Sequence, residues 1–145
     1  MTTDTINREI ERSFEAPRES LYRAFTDPAQ STQWWGPRGT THSHVEIDAT
    51  QCGHYSDQMH LPDAGGGTRS VAGEGEYTAV SPYALAYTYR VRGEDHVTRV
   101  SVEFGETPEG SEVIVHHDGL PSTEFAEYND SWNASLDRLE DLLAA

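Results

Sequence analysis

Tyr55, Met59, Tyr77, Tyr87 and Tyr89 fall in segments that alternate apolar and polar residues, and Tyr128 and Trp132 fall on the apolar stripe of a segment with helical spacing. Turned toward one interior, they make a wall of adaptable apolar surface carrying a few phenolic hydroxyls. The alternative is a packed core in which each hydroxyl finds a partner. A tyrosine-rich interior is costly to bury dry, which favours a partly wet cavity. His117 shares the strand phase of Val113 and Val115 and is expected to point inward. There it could hydrogen-bond a ligand, move a proton, or fasten the turn before the last helix. The sequence sets no inward acid or nucleophile beside it, so the fastening role is expected. Asp57 lies in phase between Tyr55 and Met59. An inward carboxylate there would have a raised pKa unless paired, so a bulge or an edge position that turns it outward is expected instead.

The remaining polar candidates offer less. His42 and His44 share a strand face with Glu46 at a spacing that can chelate a metal. Val45 and Ile47 take the inward phase, so the trio is expected to face solvent and hold no native metal. His54, His60, His96 and His116 show no ligand-like pattern. Of the pair Trp34-Trp35, one ring is expected to plug the core, and the other, assigned to Trp35, to stand at a cavity mouth or on a partner surface. Cys52 has no basic neighbour in sequence to lower its pKa, so it is read as an inert thiol. There is no nucleophile elbow, phosphate-binding glycine loop or zinc knuckle. Gly65-Gly66-Gly67 is read as a hairpin loop because no helix follows it. No catalytic residue, metal or cofactor is assigned.

The elements that must position these residues follow from period and punctuation. Thr5 to Phe14 alternates loosely. Pro17 suits a first helical turn, and Leu21, Ala24 and Phe25 follow at helical spacing. Asp27-Pro28 stops that helix and can cap a second, shorter one through about Gln33. Trp34-Trp35-Gly36-Pro37 closes it. From there period two dominates: Val45 and Ile47; Tyr55, Met59 and Leu61; Arg69 to Val80; Leu85 to Val91; Thr98 to Phe104; and Val113 to His117. Gly73 and Gly75 suggest a bend or a close approach of another backbone. Pro62 to Gly67 and Gly105 to Gly110 read as hairpin connections. Six consecutive strands on short turns give an antiparallel meander, because parallel pairs need long crossovers. Phe125, Tyr128, Trp132, Leu136, Leu139 and Leu143 then form one stripe on a long helix, with Ser122 or Thr123 as N-cap and Glu124 near its positive end.

The expectation is a single α+β domain over residues 1–145. A curved seven-stranded antiparallel sheet wraps a long C-terminal helix, with two short helices between strands 1 and 2. Sheet and helix must each bury an apolar face, and each other is the nearest choice. A sheet curled around one helix tends to leave a cavity between them, open at one end.

Composition narrows the partners. Acids outnumber bases 25 to 10, all ten bases are arginine, and the formal net charge is −15, which argues against a nucleic-acid or anionic-membrane surface. A salt-rich cytoplasm or plain solubility would each account for that excess. One cysteine excludes an internal disulfide framework and fits a reducing cytoplasm. No stretch approaches the 18 apolar residues of a membrane span, and Met1 to Arg12 lacks the apolar centre of a signal peptide. A monomer or weak homodimer is expected.

The order of motifs resembles the activator of heat-shock-protein-90 ATPase homologue-like family, within the START/Bet v 1-like (SRPBCC) helix-grip superfamily. The likeness covers nearly the whole chain. It rests on Ala16-Pro17-Arg18-Glu19 with Tyr22 to Pro28, on Trp34-Trp35-Gly36-Pro37, and on Gly53, Tyr55 and Met59. It continues through Gly75-Glu76-Tyr77 to Val80 with Pro82, His117-Asp118-Gly119-Leu120, and Trp132 with Leu136-Asp137-Arg138-Leu139. Two positions depart. Cys52 and Ser131 stand where the family pattern commonly has glycine.

The resemblance implies the helix-grip fold and a habit of binding ligands, not a substrate. Three functions are therefore weighed. The first is a non-catalytic or weakly catalytic carrier of a hydrophobic small molecule, bound by Trp35, Tyr55, Met59, Tyr77, Tyr87, Tyr89, His117, Tyr128 and Trp132. The second is an enzyme of the polyketide cyclase or aromatase type, using His117 or Asp57. The third is a protein-interaction module, either a chaperone cofactor or a sequestering self-resistance protein.

Overall fold

A computed structural model of the protein describes residues 5–62, 65–121 and 125–144. The elements run β1 (Thr5–Phe14), α1 (Arg18–Thr26), α2 (Pro28–Trp34), β2 (Thr41–Ile47), β3 (His54–Pro62), β4 (Thr68–Ser81), β5 (Ala84–Val91), β6 (Thr98–Thr107), β7 (Gly110–Pro121) and α3 (Phe125–Ala144). Every strand pairing is antiparallel, in the sheet order β1-β7-β6-β5-β4-β3-β2. β1 pairs with β7, the last strand, so the chain passes from one sheet edge to the other through α1 and α2. This is the helix-grip architecture.

Local chemistry sets the boundaries. The Asp27 side chain accepts the Ala29 N–H at 3.0 Å and Pro28 opens α2, as the Asp-Pro pair implies. The Ser122, Thr123 and Glu124 reading of the α3 start lies outside the described residues, as does the Phe125 side chain. Gly105 belongs to β6 rather than to the hairpin loop, because the β6–β7 ladder continues to Thr107↔Gly110. Cys52 adopts φ 64°, a left-handed conformation that glycine enters at least cost.

Two glycines in β4 sit where only a missing side chain allows the approach. A Cβ on Gly75 would lie 1.9 Å from the Thr88 carbonyl oxygen of the neighbouring strand. A Cβ on Gly73 would lie 2.9 Å from both Asp57 Oδ1 and Tyr89 Cε2. The close backbone approach read from the sequence is present at Gly75, whereas at Gly73 the close neighbours are side chains.

The core is dense at one end. Leu21, Ala24 and Phe25 of α1 pack with Trp34, Val102, Phe104, Val113 and Val115, and Trp132, Leu136 and Leu139 bring α3 onto the same mass. Phe25 meets Trp34 at 4.7 Å and Phe104 at 5.3 Å between ring centroids. β1 is tied to α3 at the surface by Arg8 Nε to Asn129 and Arg12 Nη1 to Asp137, both at 2.7 Å. The most extensive backbone approaches of α3 are to α2 and β1 rather than to the middle of the sheet.

Candidate functional site

Between α3 and strands β2 to β5 lies a cavity of about 210 Å³. Its wall includes Trp35, Tyr55, Met59, Tyr77, Tyr87, Tyr89, His117, Tyr128 and Trp132, so one space brings together every residue singled out as a pocket candidate. The positions come from three sources. Strict alternation carries Tyr87 and Tyr89 inward on β5, and Tyr55 and Met59 on β3. The four-residue step from Tyr128 to Trp132 puts both on one face of α3. The loop after α2 delivers Trp35 edge-on to Trp132, with ring centroids 4.8 Å apart. Trp34 is the plug: it is buried, and its Nε1–H donates to the Ala24 carbonyl at 2.9 Å.

The tyrosines contact one another. Tyr55 lies 5.3 Å from Tyr87 and 5.9 Å from Tyr77, and Tyr77 lies 5.6 Å from Tyr87. Burial raises the pKa of all four wall tyrosines on β3, β4 and β5, Tyr77 to about 12. Every phenol is therefore neutral at physiological pH, a donor as well as an acceptor. Tyr55 Oη donates to the Thr88 carbonyl at 3.3 Å.

His117 is fastened, not idle. Trp132 Nε1–H donates to His117 Nδ1 at 3.0 Å, which leaves the ring proton on Nε2. Nε2–H then donates to Thr98 Oγ1 at 2.8 Å, and that hydroxyl donates to the Tyr89 carbonyl at 3.2 Å. The chain of bonds ties α3, β7, β6 and β5. Burial lowers the His117 pKa to about 4, so the ring is neutral at physiological pH. Both nitrogens are satisfied inside the protein, and only the ring surface is left to face the cavity.

Asp57 corrects the sequence reading. The β3–β4 ladder runs without a break from His54↔Glu76 to Pro62↔Thr68, so no bulge turns Asp57 away. Its side chain is on the cavity wall, and Oδ1 accepts the Gly73 N–H at 3.1 Å. Burial raises its pKa to about 6, held down partly by that N–H. The bulge lies on the neighbouring strand, between His42 and His44. It separates the two histidines, and the shared solvent face expected for them is overturned at His42. His42 turns onto the cavity wall, where Nε2–H donates to the Trp35 carbonyl at 3.1 Å. His44 stays exposed with Nε2 3.7 Å from Glu46. Among the described residues, no group of three His, Cys, Asp or Glu side chains is placed to hold a metal ion.

Sequence reasoning missed Glu94 and Arg69 on the wall and Arg138 behind it. Glu94 sits in the turn after β5, outside any alternating run. Arg138 Nη1 donates to the carbonyls of Trp35, Gly36 and Pro37 at 3.1, 2.9 and 3.2 Å, and Nη2 to that of Gln33 at 3.1 Å. A cation at the end of α2 thus holds the loop that carries Trp35. Its position on α3, six residues after Trp132, was the signal available.

The profile of the family described as activator of Hsp90 ATPase homolog 1-like protein matches residues 15–144. The chain belongs to this family. A solved protein of Chromobacterium violaceum is 26% identical, covers 96% of this chain and 98% of its own, and superposes with a TM-score of 0.86. A family member from Silicibacter pomeroyi is 24% identical over 96% and 98% of the two chains, with a TM-score of 0.81. An Hsp90 activator from Plasmodium falciparum is 22% identical over 96% of each chain, with a TM-score of 0.74. The last two likenesses are of fold. No curated protein matches the chain. Among the described residues, no helix of this family member is long and apolar enough to cross a membrane.

Proposed function

We propose that this domain binds a small, largely apolar molecule in the cavity between α3 and the sheet. The observation that carries the reading is the convergence of Trp35, Tyr55, Met59, Tyr77, Tyr87, Tyr89, Tyr128 and Trp132 around one space, with the ring of His117 at its back. A guest that buries roughly 250 Å² of apolar surface gains about 6 kcal/mol before the costs of association. Neutral phenols orient its polar atoms. The site needs no cofactor for this role. A cyclase-like activity would rest on Asp57 alone, because His117 has no nitrogen to spare, and binding without turnover is the simpler function.

The neutral fluorophore N-phenyl-1-naphthylamine tests this. It should brighten and shift to the blue on binding, and an apolar ligand should raise the melting temperature by mass action. Val71→Phe adds bulk on the half-buried cavity wall and should abolish the signal while the domain stays folded. An equal signal from this variant, or none from the wild type, would refute the reading.

Family membership supports a second reading, an Hsp90-activator-like protein partner. With a formal charge of −15, the domain would dock on a basic surface. Stimulation of an Hsp90 ATPase that persists in Val71→Phe would favour this reading, and no stimulation would remove it.

A further inference from the structure

The cavity wall is not neutral in its polar chemistry. Asp57 stands among Tyr55 on its own strand and Tyr87 and Tyr89 on β5, and its charge reaches all three phenols. Its Oδ1 takes the Gly73 N–H, which leaves Oδ2 as an acceptor for a ligand. No arginine is among the groups that set its ionisation. A point beside Gly73 lies 2.9 Å from Asp57 Oδ1 and 3.0 Å from Tyr89 Oη, so carboxylate and phenol converge. Glu94 is a second carboxylate on the same wall. Its Oε2 is buried without a hydrogen bond, 3.7 Å from His96 Nε2. His42 Nδ1 is also buried without a partner. Because His42 Nε2–H is spent on the Trp35 carbonyl, Nδ1 is a bare acceptor. The unsatisfied polar atoms of the wall are therefore acceptors. Arg69, the cation on this wall, has interactions of its own.

From this we infer that the cavity selects an organic cation: an amine with an apolar body, whose ammonium group is held by Asp57 against the tyrosine rings. The inference rests on the cavity-binding reading above and names its ligand class. A half-buried carboxylate with little water and no counter-charge is unfavourable, and an incoming ammonium supplies that charge together with further donors. The electron-rich faces of Tyr55, Tyr87 and Tyr89 attract the same charge. A neutral guest of equal shape gains only the apolar term. An anionic guest meets two carboxylates. Asp57 acts on Tyr55, Tyr87 and Tyr89, and Tyr128 from α3, His117 from β7, His42, Glu94 and Arg69 line the same cavity. The phenols of Tyr55, Tyr87 and Tyr89 and the His117 imidazole are neutral at physiological pH, so none of these four competes with the ligand's charge.

The test uses three probes of one shape: 4-phenylbutylamine, 4-phenylbutanol and 4-phenylbutyrate, titrated calorimetrically into the whole chain at pH 7.5. The amine should bind at least roughly tenfold more tightly than the alcohol, and the carboxylate most weakly. Asp57→Asn should bring the amine down to the level of the alcohol and leave the alcohol unchanged. Glu103→Gln, an exposed carboxylate on β6, should leave the ranking intact and so excludes a general effect of the acidic surface. An alcohol that binds as well as the amine, or an amine preference that survives in Asp57→Asn, overturns the cation assignment and leaves the cavity reading standing. If none of the three probes binds, both fall. The wild-type ranking is informative by itself, so the conclusion does not depend on one variant folding.

Discussion

Asp57→Asn should expose two titrations that offset each other in the wild-type protein. The Asp57 carboxyl ionises near 6 in the folded state, against 3.8 ordinarily. The folded protein therefore holds this proton more tightly than the unfolded chain, and the contribution to stability is full below 3.8 and lost as pH rises through 6. His117 runs the other way. Its folded pKa is near 4, against 6.5 ordinarily. Here the unfolded chain binds the proton first, so stability is full above 6.5 and lost as pH falls through 4. Each gap spans about two pH units, worth about 3 kcal/mol at 1.4 kcal/mol per pH unit. Water reaching Asp57 through the cavity mouth trims its share to about 1–3 kcal/mol. Between pH 4 and 6.5 the two slopes nearly cancel in the wild type. Asparagine keeps an oxygen for the Gly73 N–H and removes the charge. Urea denaturation at half-unit steps from pH 4 to 8 should show Asp57→Asn gaining on the wild type as pH rises and leading by about 1–3 kcal/mol at pH 7.5. Subtracting one curve from the other removes every other titrating group. A difference that does not vary with pH, or a variant less stable than the wild type at pH 7.5, refutes the placement of Asp57 in the cavity.

Cys52→Gly relieves a left-handed backbone position and should stabilise the domain by up to about 1 kcal/mol, seen as a rise of a few degrees in melting temperature. Arg138→Met removes the donor shared by four carbonyls at the end of α2, of which those of Trp35 and Pro37 keep His42 and Thr40 while those of Gly36 and Gln33 lose it, and a loss of about 2 kcal/mol is expected, with faster amide exchange at Trp35 and Gly36 as the marker of a loosened loop. Gly75→Ala drives a methyl into the Thr88 carbonyl, a backbone atom that cannot yield without parting β4 from β5, so a cost of about 3 kcal/mol or failure to fold is expected by circular dichroism and urea titration.

The fold was legible because period and punctuation agree along most of the chain. Tyr87 and Tyr89 alternate without interruption, Asp27-Pro28 names a helix boundary, and Trp132, Leu136 and Leu139 repeat at helical spacing. The cavity wall followed from those phases. What escaped was set by single residues. Ser43 is the extra residue that shifts the β2 register, and nothing in Thr41 to Ile47 marks it as such, so His42 and His44 read as neighbours on one face. Asp57 escaped for a different reason. Its phase said inward, and the cost of a buried carboxylate argued for outward. The phase held because the β3–β4 ladder is continuous and a one-residue slip there would turn Tyr55 and Met59 out as well.

That asymmetry bears on why the interior is hollow. At the solid end, α1 and α2 fill the sheet's concave face with Leu21, Ala24, Phe25 and Trp34. At the other end α3 and the Trp35 loop face β3, β4 and β5 across the cavity, and α3 is held against β1 by Arg8 and Arg12 and against the α2 loop by Arg138. Moving α3 down onto the tyrosines would break those contacts and the Trp132–His117–Thr98 chain together. It would also press Tyr128 toward Asp57 and strip the carboxylate of its remaining water. The ties that hold the helix off the sheet and the charge that resists being dried thus act in the same direction. A branched apolar substitution such as Asp57→Leu leaves the helix ties intact and removes the charge, together with the acceptor of the Gly73 N–H. It should let the tyrosines close inward, shrink the cavity and raise stability while abolishing ligand binding. A crystal structure of that variant with the cavity at its original size would show that the helix ties suffice alone.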